Sequence, residues 1–316
     1  MTPALPPAPF PIVSVVGPTA VGKTEVSMRL AREIRAEILG VDSIQVYRLL
    51  DIGSAKPSRK EREAVPHHLI DILDPDEPFD AALFLQKARR AIASILSRGN
   101  TVLLVGGTGL YLSALLKGLG PATGEDPALR AQLRRIASTL GPETLHRHLE
   151  RMDPASARRI SPKDVFRTIR AMEIQIRTGR PASSILSPFE RAPLGLPHIT
   201  VGLIRDREEL YRRIDERVDG MLAQGFVEEV KSLLALGYSP RLKPLQSLGY
   251  RHIIRFLQGE YSLEEAVSTL KRDTRRYAKR QITWFRADPE TRWFHPDELM
   301  AKEHIWTWIK GGRNPS

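Results

Sequence analysis

The arrangement of apolar and polar positions changes character along the chain. In the first third, short β-branched runs alternate with stretches whose apolar residues recur every three to four positions, the rhythm of a parallel α/β sheet. Ile12 to Val16 reads as a buried strand, and the pattern predicts a helix from Lys23 to Arg35. A second run, Ala36 to Val41, ends at Asp42. A helix from Ala81 to Leu96 stops at Gly99, a third run covers Thr101 to Val105 and breaks at Gly106-Gly107, and a helix follows through Tyr111 and Leu115. From about Pro121 the chain turns to Arg-rich helices, Leu129 to Leu140, Thr144 to Met152 and Val165 to Arg177, which end among Gly179, Pro181 and Pro188. His198 to Ile204 resumes the strand pattern, and the remainder is mostly helical, with a long amphipathic stretch from Leu263 to Phe285. The organisation expected is a tail at 1–10, a core made of 11–121 and 190–316, and an all-helical insertion at 122–189.

Composition narrows the function classes. Lys and Arg number 48 against 37 Asp and Glu, a net charge of +11, which favours an acidic partner such as phosphate or nucleic acid. With no cysteine, disulfides, thiolate-ligated zinc and a thiol nucleophile are excluded, which fits a cytoplasmic chain. No apolar run approaches the ~20 residues of a membrane span. The N-terminus, MTPALPPAPFP, lacks the basic and apolar regions of a secretion signal.

GPTAVGKT, at Gly17, Pro18, Thr19, Ala20, Val21, Gly22, Lys23 and Thr24, follows a strand and opens a helix, the context a phosphate-binding P-loop requires. The fold expected is therefore α/β, a P-loop NTPase-like parallel sheet flanked by helices. Backbone N–H groups and the helix N-terminus form an anion site, Lys23 adds a point charge, and the Thr24 hydroxyl is placed to ligate Mg²⁺. Phosphate hydrolysis or transfer in this class usually needs a carboxylate at a second strand end. The run to Val105 ends in Gly-Gly-Thr, so only Asp42 is offered, as metal ligand, general base or turn cap. Arg213 and Arg217 share a helix face and are read either as phosphate ligands or as a solvated pair beside Asp215 and Glu216. His67-His68 lack a third ligand and read as core or turn residues.

Arg272, Arg275, Arg276 and Lys279 fall at i, i+3, i+4 and i+7 on one helix face, offset only by Asp273 and followed by Trp284-Phe285. Such a face suits single-stranded RNA, with cations on the backbone and aromatics on the bases, or it is simply solvated. On residues alone the P-loop names no reaction, and a P-loop small-molecule kinase and a non-catalytic RNA-binding protein both stand.

Taken together the motifs resemble the tRNA dimethylallyltransferase family. The matching blocks are GPTAVGKT, VDSIQVYRLLDIGSAKPS (Val41 to Ser58), VPHHLIDI (Val65 to Ile72), LVGGTGLYLSALLKGL (Leu104 to Leu119), FRTIRAMEI (Phe166 to Ile174), TGRP (Thr178 to Pro181), SLGYRH (Ser247 to His252) and AKRQITWFR (Ala278 to Arg286), in the family's order. The resemblance implies that the P-loop holds the diphosphate of dimethylallyl diphosphate, with Mg²⁺. It also implies that the prenyl group moves to N6 of the adenosine 3′ of the anticodon, in tRNAs reading codons that begin with U. By matching, Asp42 corresponds to the base, Thr19 and Thr108 lie near the reacting groups, and Arg217 clamps the diphosphate. The blocks expected to touch the tRNA anticodon stem-loop comprise Asp42, Ser43, Ile44 and Gln45; Thr108; Arg130; Phe166, Arg167 and Arg170; Gln246, Gly249, Tyr250 and Arg251; and Lys279, Arg280, Gln281, Trp284 and Arg286. Where the family commonly reads Asn-Asp-Pro-Gln-Arg, this chain has Lys163-Asp-Val-Phe-Arg167, so Phe166 stands in place of a Gln. The family suggests a monomer.

Overall fold

A computed structural model describes residues 11–119, 124–185 and 193–301. The expected tail at 1–10 and the expected module boundaries at 121–122 and 189–190 lie outside these residues. The described chain forms two compact units, one within Met1–Leu112 and Gly195–Ser316, the other within Ser113–Leu194.

The first unit is built on a sheet whose strands are β1 (Ile12–Val16), β2 (Ala36–Val41), β3 (His67–His68), β4 (Thr101–Gly106), β5 (His198–Leu203) and β6 (Thr291–Phe294). They lie in the order β3-β2-β4-β1-β5-β6, and every pairing is parallel. β1 and β2 are buried along their whole length, as near-continuous apolar runs in a sheet covered on both faces require. Between the first two strands runs α1 (Lys23–Glu33), two residues shorter than the periodicity suggests. Arg35 takes a positive φ of 50°, which turns the chain into β2 at Ala36. Further helices of this unit are α2 (Arg59–Ala64) and α3 (Ala81–Ser97). The chain then enters α4 (Gly109–Lys117), within which the division between the units falls.

After β5 come α10 (Arg207–Ala223), α11 (Phe226–Ala235), α12 (Tyr250–Leu257), α13 (Leu263–Arg286) and α14 (Pro296–Ala301). Leu210, Ile214 and Ala278 bring α10 and α13 onto the same core as Val13, Val15, Leu103, Val201 and Leu203. Because the strands are parallel, the segments after β1, β2 and β4 emerge at one edge, where α/β sheets bind ligands.

The second unit comprises α5 (Pro127–Leu140), α6 (Pro142–Met152), α7 (Pro154–Arg159), α8 (Val165–Thr178) and α9 (Ala182–Ile185) around a core that includes Leu133, Leu145, Leu149, Ile169 and Ile174. Asp126 and Asp164 cap α5 and α8 by accepting from the Leu129 and Arg167 amides. Glu173, fully buried on α8, accepts from Arg130, Arg170 and the Asp126 amide. Burial opposes its charge, but these hydrogen bonds outweigh it and hold the carboxyl at about 2.

Candidate active site

The P-loop turns tightly against β5. Gly17 has φ 141°, and a Cβ there would stand 2.6 Å from the Leu203 carbonyl oxygen, so only glycine fits. Three side chains dock on the loop's carbonyls and a fourth on one of its amides. Lys23 Nζ donates to Gly17 O (2.9 Å) and Pro18 O (2.8 Å). Arg213 Nε donates to Ala20 O, and the buried Arg205 donates to Val21 O. Gln281 accepts from the Thr19 amide at 2.9 Å. The first N–H groups of α1 have no intrahelical acceptor and face the same edge, leaving donors and a helix dipole for an anion.

The cations are desolvated there. Burial, and after it the Arg217 guanidinium, lower the Lys23 ammonium to about 7, with Asp42 pulling the other way. Burial likewise lowers Arg217, again opposed by Asp42. An uncompensated positive pocket of this kind gains most when an anion enters it. Arg213 and Arg217 therefore belong to the loop side of α10. Their sequence neighbours are used elsewhere: Asp215 pairs with Arg275 and Glu216 with Arg212.

Asp42 follows β2 directly, and because β4 lies between β2 and β1 it reaches the sheet edge one strand away from the P-loop strand. The intervening strand ends in Gly106-Gly107, which raise no side chains between the two segments. Asp42 Oδ1 accepts from the Ile44 and Gln45 amides at 2.8 and 3.2 Å, so the turn-cap reading is correct for one oxygen. Among the described residues Oδ2 has no hydrogen-bond donor and remains open to a ligand. The Thr19 and Thr108 hydroxyls are likewise without a protein partner among the described residues, while the Thr108 amide donates to Val41 O. Tyr277 was missed by sequence reasoning, whereas Tyr111 is a core residue packed on Phe79 and Phe84. Burial raises both phenols, and for Tyr277 the field of Asp42 adds to it. The signal available for Tyr277 was its i, i+4 spacing from Gln281 on α13.

Several residues expected at the RNA surface are engaged inward. Gln281 is buried, and its amide nitrogen donates to Gly107 O. Tyr250 is fully buried and donates to Glu229, whose carboxylate also accepts from the Asp51, Ile52 and Gly53 amides. Gln45 donates to the Ser54 and Ala55 carbonyls, whereas Gln246 donates to Pro240 O and stays exposed. Gly249 is buried, whereas Ser43 and Ile44 are partly exposed. In the helical unit Arg130 is tied to Glu125 and Glu173, and Arg170 to Glu173, while Arg167 stays mostly exposed. Phe166, with 73% exposure, projects from α8.

On α13 the four-residue cationic face is offset by more than Asp273. Arg275 is taken by Asp215, and Arg272 and Arg276 share Asp273 with Arg251. Lys279, Arg280 and Arg286 are exposed and have no carboxylate partner among the described residues. Trp284 is half-exposed over Gly109, whereas Phe285 is core. His67 and His68 form β3, and His68 pairs with the buried Glu37.

Among the described residues no cluster of three or more His, Asp or Glu could hold a metal unaided, and no helix is long and apolar enough to cross a membrane. Thr24, exposed at the start of α1, offers one hydroxyl beside the anion site. That suits Mg²⁺, which takes few protein ligands and completes its shell with phosphate oxygens and water.

A family model described as IPP transferase matches residues 45–288, and one described as isopentenyl transferase matches residues 11–73. The chain is 53% identical to a tRNA dimethylallyltransferase of Syntrophobacter fumaroxidans over 90% of its own length and 83% of the relative's. It is 49% identical to one of Desulfatibacillum aliphaticivorans over 92% and 95%. Among solved structures it is similar to the tRNA isopentenylpyrophosphate transferase of Bacillus halodurans, with TM-score 0.70, 39% identity and 96% of both chains covered. It is also similar to a eukaryotic dimethylallyltransferase acting on tRNA, with TM-score 0.74, 27% identity and coverage of 92% and 75%.

Proposed function

Because the chain belongs to the tRNA dimethylallyltransferase family, we propose that it transfers a dimethylallyl group from dimethylallyl diphosphate to N6 of the adenosine 3′ of the anticodon, in tRNAs reading codons that begin with U. The observation that carries this reading is the presence at one sheet edge of the P-loop, with Lys23 docked on its carbonyls, and of Asp42, which spends Oδ1 on two backbone amides and keeps Oδ2 without a protein donor among the described residues. An anion site and a carboxylate at one sheet edge suit displacement of diphosphate by a nucleophile that must lose a proton.

In the step so derived, the adenine N6 lone pair forms a bond to the allylic carbon as the carbon–oxygen bond breaks. Diphosphate leaves with the electron pair, and an N6 proton passes to Asp42 Oδ2. Negative charge develops on the leaving group, where the P-loop amides, Lys23 and Arg217 are already oriented. The Ile44 and Gln45 amides hold Asp42 Oδ1 and so aim Oδ2. Thr24 would hold Mg²⁺, which when bound neutralises diphosphate charge. Reaching a stacked adenine requires extruding it from the anticodon loop, at about a few kcal/mol. The setting we propose is a cytoplasmic monomer.

The test is a transfer assay with labelled dimethylallyl diphosphate, Mg²⁺ and unmodified tRNA carrying adenosine 3′ of the anticodon, beside a tRNA with guanosine there. Label confined to the adenosine tRNA is the expected outcome. ATP turnover with a metabolite acceptor and no transfer would favour the kinase, and tight tRNA binding without transfer the RNA-binding protein.

A further inference from the structure

Gln281 stands in a run that resembles the family's RNA-contacting blocks, but its surroundings give it other work. It is 6% exposed, and both ends of its amide are used on backbone groups far away in the chain. Oε1 accepts from the Thr19 amide in the P-loop at 2.9 Å, and Nε2 donates to the Gly107 carbonyl at the end of β4 at 3.1 Å. A Cβ on Gly107 would stand 2.1 Å from Nε2, so the glycine is what admits the amide to this position. The helix that delivers it is fixed in the core by Ala266, Leu270, Ala278 and Phe285.

Two further facts give this brace a consequence. The residues it holds, Thr19 and Gly107, carry or adjoin the two threonine hydroxyls at the sheet edge, Thr19 and Thr108, and neither hydroxyl has a protein partner among the described residues. The brace also diverts the Thr19 N–H from the anion site, so the loop is shaped by a side chain as well as by its own turn. Removing a partner from a part-buried donor and a buried carbonyl leaves both groups without it and free to move. Reacting groups displaced by about 1 Å lose about a hundredfold in rate.

We infer that Gln281 is a positioning residue that sets the spacing between the P-loop at Thr19 and the β4–α4 turn at Thr108, and that it does not read RNA. This rests on the transferase reading for its kinetic consequence and on geometry alone for its effect on anion binding.

The experiment compares wild type, Gln281→Met, Gln281→Ala, Gly107→Ala and the Gly107→Ala/Gln281→Ala pair. Pyrophosphate affinity is measured by calorimetry, tRNA affinity by filter binding, and transfer by steady-state kinetics. Gln281→Met keeps the side-chain volume and loses both hydrogen bonds. It is expected to weaken pyrophosphate binding and raise KM for dimethylallyl diphosphate, each on the order of tenfold, and to lower kcat, with tRNA affinity within about twofold of wild type. Gly107→Ala evicts the amide without altering residue 281, so it should show the same split and keep the inference testable if Gln281→Met does not fold. The double variant should be no worse than Gly107→Ala alone, because the two changes break one contact. Weakened tRNA binding with unchanged pyrophosphate affinity would overturn the inference and make Gln281 an RNA contact. Wild-type behaviour of folded Gln281→Met, or effects that multiply independently in the double variant, would overturn it as well. Absence of transfer by the wild-type protein would count against the transferase reading only, since the pyrophosphate measurements still decide the brace.

Discussion

At the scale of single residues, Asp42 and Lys23 divide the chemistry between them. Asp42 spends one oxygen on the Ile44 and Gln45 amides and keeps the other open. Asp42→Asn preserves those two hydrogen bonds and removes the basicity, so turnover should fall by about two orders of magnitude or more while tRNA affinity holds. Single-turnover transfer beside a binding isotherm checks both halves. Lys23 is held at about 7, far below its ordinary value of 10.5, chiefly by burial. Its folded pKa is depressed, so between those two values the unfolded chain binds more protons and stability rises with pH. Below about 7 the lysine is charged in both states and the full cost of burying it is present. Lys23→Met should therefore raise the melting temperature relative to wild type most at pH 6.5, and by less at pH 9.5. An equal difference at both pH values would mean that Lys23 is not desolvated. The same variant should weaken pyrophosphate binding, since it removes the charge that the site is built to present.

At the scale of elements, α13 combines three tasks on one helix. Its buried side packs into the core, Gln281 and Tyr277 face the sheet edge, and Lys279, Arg280 and Arg286 face solvent. Because the other arginines are committed to Asp215 and Asp273, the cations free for phosphate lie toward the C-terminal end of the helix. Replacing Lys279 and Arg280 by Ala should reduce the slope of log affinity for tRNA against log salt by about one to two units, whereas replacing Arg275 should leave the slope unchanged and lower stability. Binding measured from low to moderate salt separates the two.

At the scale of the whole molecule, each unit carries its own apolar core, and the helical unit adds a buried ionic centre at Glu173. Glu173→Ala strips Arg130 and Arg170 of a shared buried partner and should cost about 3 kcal/mol or more. Denaturant unfolding measures that loss, and pyrophosphate binding to the P-loop unit, measured well below the transition, should not change. The carboxyl is held at about 2 against an ordinary 4.5, so the stability it contributes is present above about 4.5 and lost as pH falls toward 2.

What the sequence by itself determined was everything with a local cause. β1 and β2 match their apolar runs residue for residue, because burial on both faces writes itself into consecutive positions. The P-loop was legible because a strand, a glycine turn and a helix N-terminus must be contiguous to hold phosphate. The two-residue strand β3 and the four-residue strand β6 left no such run, since short edge strands take their identity from the neighbour they pair with. Only the tertiary structure placed β4 between Asp42 and the P-loop, tied Arg275 to Asp215 and Arg130 to Glu173, buried Tyr250, and turned Gln281 inward onto Thr19 and Gly107. Each of these depends on partners tens to hundreds of residues away. Periodicity records which face of an element is buried, while the partner met on that face is set by how the elements pack.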